Sequence, residues 1–281
     1  MAKRSRIKEI DKLIKEGRGN GVLSKYKPWI LIQDVPSLGR STRLKGIKTL
    51  RQHEFLSDME KNYFYFLEYS DEVVDIREQY PLLPLEETVS IANEIGVGHP
   101  KHPETGEFIV MTTDFLITKN SQNNNFDVAR TIKTKDDLFN KRISEKFEIE
   151  RIYWERREVD WGIVTNEEID KVVAKNINSF HSYYEISNLD IFSDIDDKEI
   201  QDILLEYIRR ISNPDKSVRY ISKVFEEDMS LPKGSSISIF KHLLARKIIM
   251  VDITKEIDIN KPMDITILES ILNKEFNISW Y

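Results

Sequence analysis

Three residues of this chain have the types and surroundings that metal-dependent cleavage of a phosphodiester requires. Asp114 lies in the apolar run MTTDFLIT, Lys133 lies in the β-rich run RTIKT, and Glu60 belongs to an amphipathic segment before both. Mg²⁺ and Mn²⁺ prefer hard oxygen ligands such as carboxylates. A lysine beside them can stabilise the negative charge that develops on an attacked phosphate. If the two runs form neighbouring strands, Asp114 and Lys133 converge at one edge of a sheet, and Glu60 can supply a second carboxylate.

The same residues also allow a plainly structural interpretation. An aspartate and a lysine near strands often form only a salt bridge, and Ser57 followed by Glu60 is the pattern of a helix capping box. His99 and His102, in the segment GHPKHP, could bind a metal, but they fit a loop-shaping role better. The sequence contains no Walker loop, no G-x-G-x-x-G and no G-x-S-x-G motif. The residues alone therefore leave a nuclease and a non-catalytic protein both open.

The elements that must position these residues alternate between helix and strand. Apolar residues at helical spacing predict helices, and β-branched and aromatic runs predict strands. The predicted elements are a helix over 55–69, strands over 73–82, 108–119 and 126–135, a long amphipathic helix over 136–158, and a strand over 160–165. This order indicates an α/β domain with a mixed sheet.

The C-terminal part has a different texture. The sequence becomes polar and acidic after about residue 166, and a domain boundary is expected between 166 and 180. Three helical patterns follow, over 197–211, 216–228 and 235–246, and the strand-like run KIIMVDI at 247–253 is expected to open a β-hairpin. Three helices and a hairpin are the outline of a winged-helix module. We therefore expect a catalytic domain over 1–168 and a second domain over 169–281.

The composition excludes several classes of protein. The 281 residues are 40% hydrophobic, which is enough to build a core, and the length suggests about two domains. The absence of cysteine excludes disulfides, Cys-zinc sites, iron–sulfur clusters and thiol nucleophiles. No apolar run approaches the roughly 20 residues of a membrane helix, and the N-terminus lacks a hydrophobic signal core. We expect a cytoplasmic protein that does not bind membranes.

Charge is distributed unevenly along the chain. Residues 1–50 carry 13 Lys/Arg against 4 Asp/Glu, although the whole chain has a net charge of -6. A basic segment of this kind either binds a polyanion such as DNA or only solubilises the chain. If it binds DNA, Arg18, Arg40 and Arg43 are the candidates for contacts with backbone phosphates. The region 185–228 is acidic overall, which favours a protein partner for the second domain over DNA.

Several segments, in order and at compatible spacing, resemble the TnsA family, the endonuclease subunits of heteromeric transposases. Together they cover most of residues 16–170, and the last 110 residues show only coarse similarity. The segments are EGRGNG (16–21), YKPWILIQDVPSLGRSTR (26–43), LSDMEKNYFYFLEYSDEVVDIREQYPLLP (56–84), HPETGEFIVMTTDFLI (102–117) and EKFEIERIYWERREVDWGIVTNEEI (145–169).

The resemblance implies a fold and a set of site residues. The fold is a restriction-endonuclease-like catalytic domain of the PD-(D/E)xK type followed by a winged-helix domain. Glu60 then matches the family's catalytic glutamate, Asp114 its aspartate, and Lys133 the lysine of its Q-x-K element. The glutamine of that element is replaced by Thr131, whose short hydroxyl makes it a doubtful metal ligand, whereas the backbone carbonyl of Ile132 can still bind. The implied cofactor is Mg²⁺ or Mn²⁺.

The resemblance also implies a task and partners. TnsA-like subunits cut the 5′ ends of a transposon, while a TnsB-like DDE transposase cuts and joins the 3′ ends and a TnsC-like AAA+ regulator docks on the assembly. We therefore expect binding to transposon-end DNA and to both proteins, self-association, and work at the bacterial nucleoid. Two alternatives remain: a stand-alone restriction or repair endonuclease with the same site, and a non-catalytic DNA-binding regulator that reads DNA through a winged helix.

Overall fold

The computed structural model describes residues 2–34, 40–186, 192, 195–213 and 215–276. The chain divides into two compact units, Met1–Ile169 and Asp170–Tyr281. The elements of the first unit are α1 (Ala2–Lys15), β1 (Thr42–Lys45), β2 (Gln52–Phe55), α2 (Asp58–Tyr69), β3 (Val73–Pro81), α3 (Leu85–Glu94), β4 (Thr112–Ser121), β5 (Asn124–Ile132), α4 (Lys141–Glu155) and β6 (Asp160–Val164).

A mixed four-stranded sheet organises the first unit, as the sequence predicts. Its strand order is β3-β4-β5-β6, with antiparallel pairing between the first three strands and parallel pairing between β5 and β6. A parallel pair needs a crossover connection, and α4 provides it. A buried cluster joins α3 and α4 to the sheet, and its members include Leu82, Ile91, Leu116, Ala129, Ile149 and Trp154.

The sheet forks between β4 and β5. Their antiparallel pairing extends from Ser121 opposite Asn124 to Phe115 opposite Arg130, and stops there. Beyond that point β4 stays paired with β3 as far as Thr112, whereas β5 stays paired with β6 as far as Ile132. Asp114 is the first residue of β4 past the fork. The fork therefore leaves a crevice between two strands that are adjacent elsewhere.

The structure differs from the predicted order of elements in one respect. A helix, α3, lies between the first and second strands of the sheet, where the sequence analysis assigned none. Its buried face is formed by Thr88, Ile91 and Ala92, and two glutamates in its first turn suit the positive end of the helix dipole. The predicted strand 108–119 accordingly begins only at Thr112.

The predicted helix over 136–158 is also shorter than expected. Residues 136–139 form a 3₁₀ turn, and α4 begins after Asn140. The Asn140 side chain accepts hydrogen bonds from the backbone N–H groups of Arg142 and Ile143, at 2.9 and 3.3 Å. Asparagine is among the best N-cap residues, and this cap fixes the start of α4.

The second unit is mainly helical. Its elements are α5 (Lys171–His181), α6 (Asp197–Ile211), α7 (Val218–Asp228), α8 (Ser235–Ala245), β7 (Ile249–Met250), β8 (Thr266–Ile267) and α9 (Glu269–Phe276). Helix α8 packs against α5, α6 and α7, and the buried side chains include Tyr207, Phe225, Ile239, Phe240 and Leu243. The three predicted helices are present within two residues of their expected ends, whereas α5 was not predicted. The expected strand 247–253 is reduced to the short pair of β7 and β8.

Helix α8 also buries a histidine. His242 is buried, and its Nδ1 lies 2.9 Å from the backbone oxygen of Tyr183. This polar residue can be buried because α8 has neighbours on several sides. Among the helices that the structure describes, none is both long enough and apolar enough to span a bilayer.

Candidate functional site

The fork between β4 and β5 holds the carboxylate of Asp114. Oδ2 of Asp114 accepts a hydrogen bond of 2.7 Å from the backbone N–H of Ile132, on the opposite side of the fork. The backbone N–H of Lys133 bonds instead to the oxygen of Val164, at 3.1 Å. In an extended strand the N–H and C=O of one residue point to the same side. The carbonyl of Ile132 is therefore expected to face the crevice with Asp114, as a metal ligand must.

Glu60 reaches the same place from the first turn of α2. Ser57 caps this helix and exchanges two hydrogen bonds with Glu60: the Ser57 hydroxyl donates to Oε1 at 2.8 Å and accepts from the Glu60 N–H at 3.1 Å. Oε2 of Glu60 accepts from the N–H of Leu56, at 3.0 Å. The predicted capping box is present in a shifted form, because the Glu60 carboxylate reaches back to the N–H of Leu56 and the hydroxyl of Ser57 rather than to the N–H of Ser57. It also holds a buried carboxylate in one orientation, so the structural and the catalytic interpretations of Glu60 are compatible.

A residue that sequence reasoning missed, Gln79, joins the two acids. Its Nε2 lies 3.4 Å from Oε2 of Glu60 and 3.5 Å from Oδ1 of Asp114, while its Oε1 accepts a bond of 3.2 Å from Thr112. The Gln79 backbone has φ +48°, an uncommon left-handed conformation for a residue with a side chain. Its backbone oxygen accepts from the N–H of Trp29, at 3.1 Å. The sequence signal that could have identified Gln79 is a polar residue inside the predicted strand 73–82.

The electrostatics of the two acids suit a divalent cation. Burial raises the pKa of Glu60, and the nearby charge of Asp114 raises it further. Burial also raises the pKa of Asp114, against the opposing effect of the bond from Ile132. Two close carboxylates in a poorly solvated place repel each other unless a cation or a proton intervenes. The donors are hard oxygens, so the site fits Mg²⁺ or Mn²⁺.

Thr131, the doubtful metal ligand, is engaged elsewhere. Its hydroxyl donates to Oε1 of Glu150 at 2.5 Å, and the Thr113 hydroxyl donates to the same oxygen at 2.6 Å. The indole N–H of Trp154 donates to Thr113 at 2.7 Å, which extends the network. Glu150 is a second residue that sequence reasoning missed, and burial raises its pKa. The helical spacing of apolar residues over 136–158 does not single out Glu150, because a glutamate on a helix usually faces water.

Lys133 follows the last residue of β5 and is half-buried. Its positive charge acts on Asp114, lowering the pKa of that carboxyl. Within the described part of the chain, its ammonium group forms no hydrogen bond or ion pair. The structure therefore brings Glu60, Asp114 and Lys133 to one place. No group of three or more His, Cys, Asp or Glu residues suited to a metal occurs among the described residues. A metal at this place would therefore need the main-chain oxygen of Ile132 as a further ligand.

The candidate DNA-binding arginines have different surroundings. Arg18 is held inside the N-terminal segment, where it pairs with Asp34 and donates to the backbone oxygen of Trp29 at 3.1 Å. Arg43 donates to Glu54 at 3.0 Å and remains half-exposed. Arg40 is exposed and bonds to no other residue that the structure describes. Arg40 and Arg43 are accessible for a phosphate contact, whereas Arg18 is engaged in holding the segment.

The two histidines of the GHPKHP segment serve the loop. His99 is buried, with Nε2 at 2.9 Å from the Thr88 hydroxyl. Nδ1 of His102 accepts from the backbone N–H groups of Glu104 and Thr105, at 3.3 and 3.4 Å. These contacts agree with the loop-shaping interpretation.

Comparison with known proteins finds similarity over most of the chain. The family model "TnsA-like endonuclease N terminal" matches residues 70–166, a stretch that contains Asp114 and Lys133. The model "TnsA endonuclease C terminal" matches residues 168–253. The chain is also similar to the transposon Tn7 transposition protein TnsA of Escherichia coli. The two are 34% identical over 273 residues, which cover 95% of this chain and 93% of that protein.

Proposed function

Because this chain belongs to the TnsA family of transposase endonuclease subunits, we propose that its DNA-cleaving site lies at the fork of the sheet. The proposed site consists of Glu60, Asp114, Lys133 and the main-chain carbonyl of Ile132. The observation that carries the proposal is the convergence of two buried carboxylates on the amide of Gln79. Family membership makes the protein a DNA endonuclease; the identity of its catalytic residues is our inference.

The proposed cofactor is Mg²⁺, or Mn²⁺ in its place. When bound, such an ion polarises the scissile phosphate and lowers the pKa of a water molecule that it coordinates. Glu60 and Asp114 would hold it with the Ile132 carbonyl. Thr131 is left out of this set because its hydroxyl is directed at Glu150 of α4, and no contact in the described ranges brings it to Glu60 or Asp114.

The chain's own residues have separate tasks in the cleavage. Lys133 places a compact positive charge beside the reacting phosphate and offsets the negative charge that grows on its oxygens. The N–H of Ile132 and the amide of Gln79 fix the Asp114 carboxylate, so that little reorganisation is needed when DNA arrives. The capping box does the same for Glu60. The products would be a 5′-phosphate and a 3′-hydroxyl.

The proposal extends to the transposition reaction. The protein would cut the 5′ ends of its transposon while a TnsB-like DDE transposase processes the 3′ ends and a TnsC-like AAA+ regulator binds the assembly. The first unit would then be the restriction-endonuclease-like domain, near residues 1–168, and the second a winged-helix domain, near 169–281. Its acidic composition favours contact with protein. The cleavage would take place in the bacterial cytoplasm, at the nucleoid. The protein would also self-associate when the two transposon ends are paired.

The test uses a duplex with the transposon end, Mg²⁺, and the protein with and without its TnsB-like partner. We expect 5′-end cleavage only when both proteins and Mg²⁺ are present, and none with Asp114→Ala. Asp136→Ala, an exposed acid in the turn after Lys133, is the matched control and should cleave normally. Cleavage by the purified protein alone would favour a stand-alone endonuclease. Metal-independent DNA binding without any cleavage would favour the regulator, and Mg²⁺-dependent cleavage by Asp114→Ala would refute the assigned site.

A further inference from the structure

A second lysine lies beside Lys133 at the end of the sheet. Helix α4 connects the parallel strands β5 and β6, so it runs antiparallel to β5. The bond from Thr131 to Glu150 fixes the register between them. Lys133, just past the end of β5, is two residues beyond Thr131, which is about 6.6 Å along an extended chain. One helical turn back along α4 is Lys146, about 6 Å from Glu150. The two lysines therefore project from matching positions.

These lysines differ from the other cations nearby because, within the described ranges, no carboxylate forms a direct ion pair with either of them. Arg142 and Arg151 of α4 form ion pairs with glutamates of the same helix, and Lys135 pairs with Glu167 at 2.7 Å. Lys133 and Lys146 are both half-buried, and neither forms an ion pair or a side-chain hydrogen bond with any residue in the described ranges. Lysine side chains in such positions are normally paired or fully solvated.

The surroundings of Lys146 disfavour its positive charge in the isolated protein. Burial lowers the pKa of Lys146, and the positive charges of Arg142 and Lys133 lower it further. Like charges at a partly desolvated site destabilise one another, and an anion bound between them removes the repulsion. The charged residues that act on Lys146 are thus the cations Arg142 and Lys133, while the Glu150 carboxyl, one helical turn away, is already bonded to two hydroxyls.

We propose that Lys146 binds a backbone phosphate of the cleaved DNA strand, next to the scissile phosphate that Lys133 contacts. The inference rests on the proposed function, because the catalytic crevice determines where the strand passes. Lys146 is then a DNA-positioning residue. It holds the strand in register, so that the phosphate facing Glu60 and Asp114 is the correct one.

The test measures binding of a transposon-end duplex by fluorescence anisotropy over a series of salt concentrations, in an Asp114→Ala background that does not cleave. Each phosphate contact contributes about 0.9 to the slope of log affinity against log salt. Lys146→Ala should lower that slope by about 1 and weaken binding roughly tenfold at low salt, while Lys146→Arg retains both. Lys135→Ala is the matched control, because its charge is already paired with Glu167, and it should keep the slope.

Cleavage separates positioning from a general loss of structure. With the TnsB-like partner present, Lys146→Ala in the otherwise native chain should raise the DNA concentration for half-maximal cleavage and scatter the cut over neighbouring phosphates, with an unchanged melting temperature. An unchanged salt slope for Lys146→Ala, or an equal loss for Lys135→Ala, would overturn the inference while leaving the proposed function intact. Failure of the unmodified protein to cleave would overturn both.

Discussion

Glu60 and Asp114, from a helix and a strand far apart in sequence, are both within 3.5 Å of one nitrogen, Nε2 of Gln79. The amide nitrogen carries two hydrogens, so it can donate to both carboxylates at once. Its oxygen is engaged by the Thr112 hydroxyl at 3.2 Å, which orients the amide. The amide therefore sets the separation of the two proposed metal ligands before any ion is bound.

The first prediction concerns Gln79 and metal affinity. Residues that orient metal ligands typically contribute 10–100-fold to affinity. Gln79→Asn suits the left-handed backbone but is too short to reach both acids, and we expect it to weaken Mn²⁺ binding by about 10–100-fold in titration calorimetry. Gln33→Asn, in the N-terminal segment, serves as the control. Unchanged Mn²⁺ affinity for Gln79→Asn, with a normal melting temperature, would contradict this role.

The second prediction concerns the buried Glu150. One of its oxygens accepts from both Thr113 and Thr131, and a glutamine can present an oxygen in the same position. Glu150→Gln should therefore leave the free energy of unfolding nearly unchanged. Glu150→Ala leaves two buried hydroxyls without an acceptor and should destabilise the fold by about 1–3 kcal/mol for each. Urea unfolding measures both, and equal losses for the two variants would be inconsistent with this account.

The third prediction concerns acid stability and Glu78. This glutamate is fully buried, and its carboxylate is bonded to Arg51 at 2.8 Å and to His53 at 2.8 Å. Burial would raise the pKa of Glu78, but these cationic partners outweigh it and lower the pKa to about 2. Because the pKa of Glu78 is lower in the folded than in the unfolded chain, ionised Glu78 stabilises the fold at every pH above its unfolded pKa, near 4.5. This contribution of about 3 kcal/mol is lost as the pH falls from about 4.5 to 2.

Urea unfolding between pH 6 and 3 tests the contribution of Glu78. The native chain should lose stability over this range more steeply than Arg51→Met/Glu78→Gln, in which Glu78 and its arginine partner are made neutral together. Glu72→Gln, an exposed partner of Lys119, should behave like the native chain. If the double variant loses stability with the same slope, the pKa of Glu78 is not responsible.

The fourth prediction concerns attachment of the N-terminal segment to β3. Gly19 has φ +73°, and a Cβ there would overlap the ring of Pro81. Gly106 has φ +70°, but a Cβ there would meet no atom within 4 Å. Both alanine variants carry the backbone strain of about 1 kcal/mol. Only Gly19→Ala should also loosen the segment, seen as faster proteolysis within 16–34. Equal proteolysis of the two variants would disprove the contact's importance.

The sequence indicated which residues converge better than it indicated the shape of the sheet that joins them. Asp114 and Lys133 stood out because a charged residue inside a β-rich run is unusual, and adjacent strands in sequence commonly pair. The fork between β4 and β5 was not predictable, because the side-chain pattern of a strand is the same before and after its partner diverges. Gln79 was missed for a related reason, since the side-chain pattern of a strand shows neither its left-handed backbone nor its bond from Trp29, a residue far away in the chain.

The differences in the helices have a local origin. Helix α3 was overlooked because it follows two prolines, Pro81 and Pro84, which indicate extended chain. Proline is nevertheless compatible with the start of a helix, and Pro84 stands immediately before α3 here. The sequence shows that Thr131 replaces the glutamine of the family pattern. Its hydrogen bond to Glu150 could be seen only in the structure, because it depends on how α4 packs on the sheet.

All the proposed hydrolytic groups lie within the unit Met1–Ile169. Evolution could therefore replace the unit Asp170–Tyr281, and with it the partner proteins that it binds, while keeping the residues proposed to cleave DNA. Relatives that share only the first unit should still be able to break DNA, but under different control.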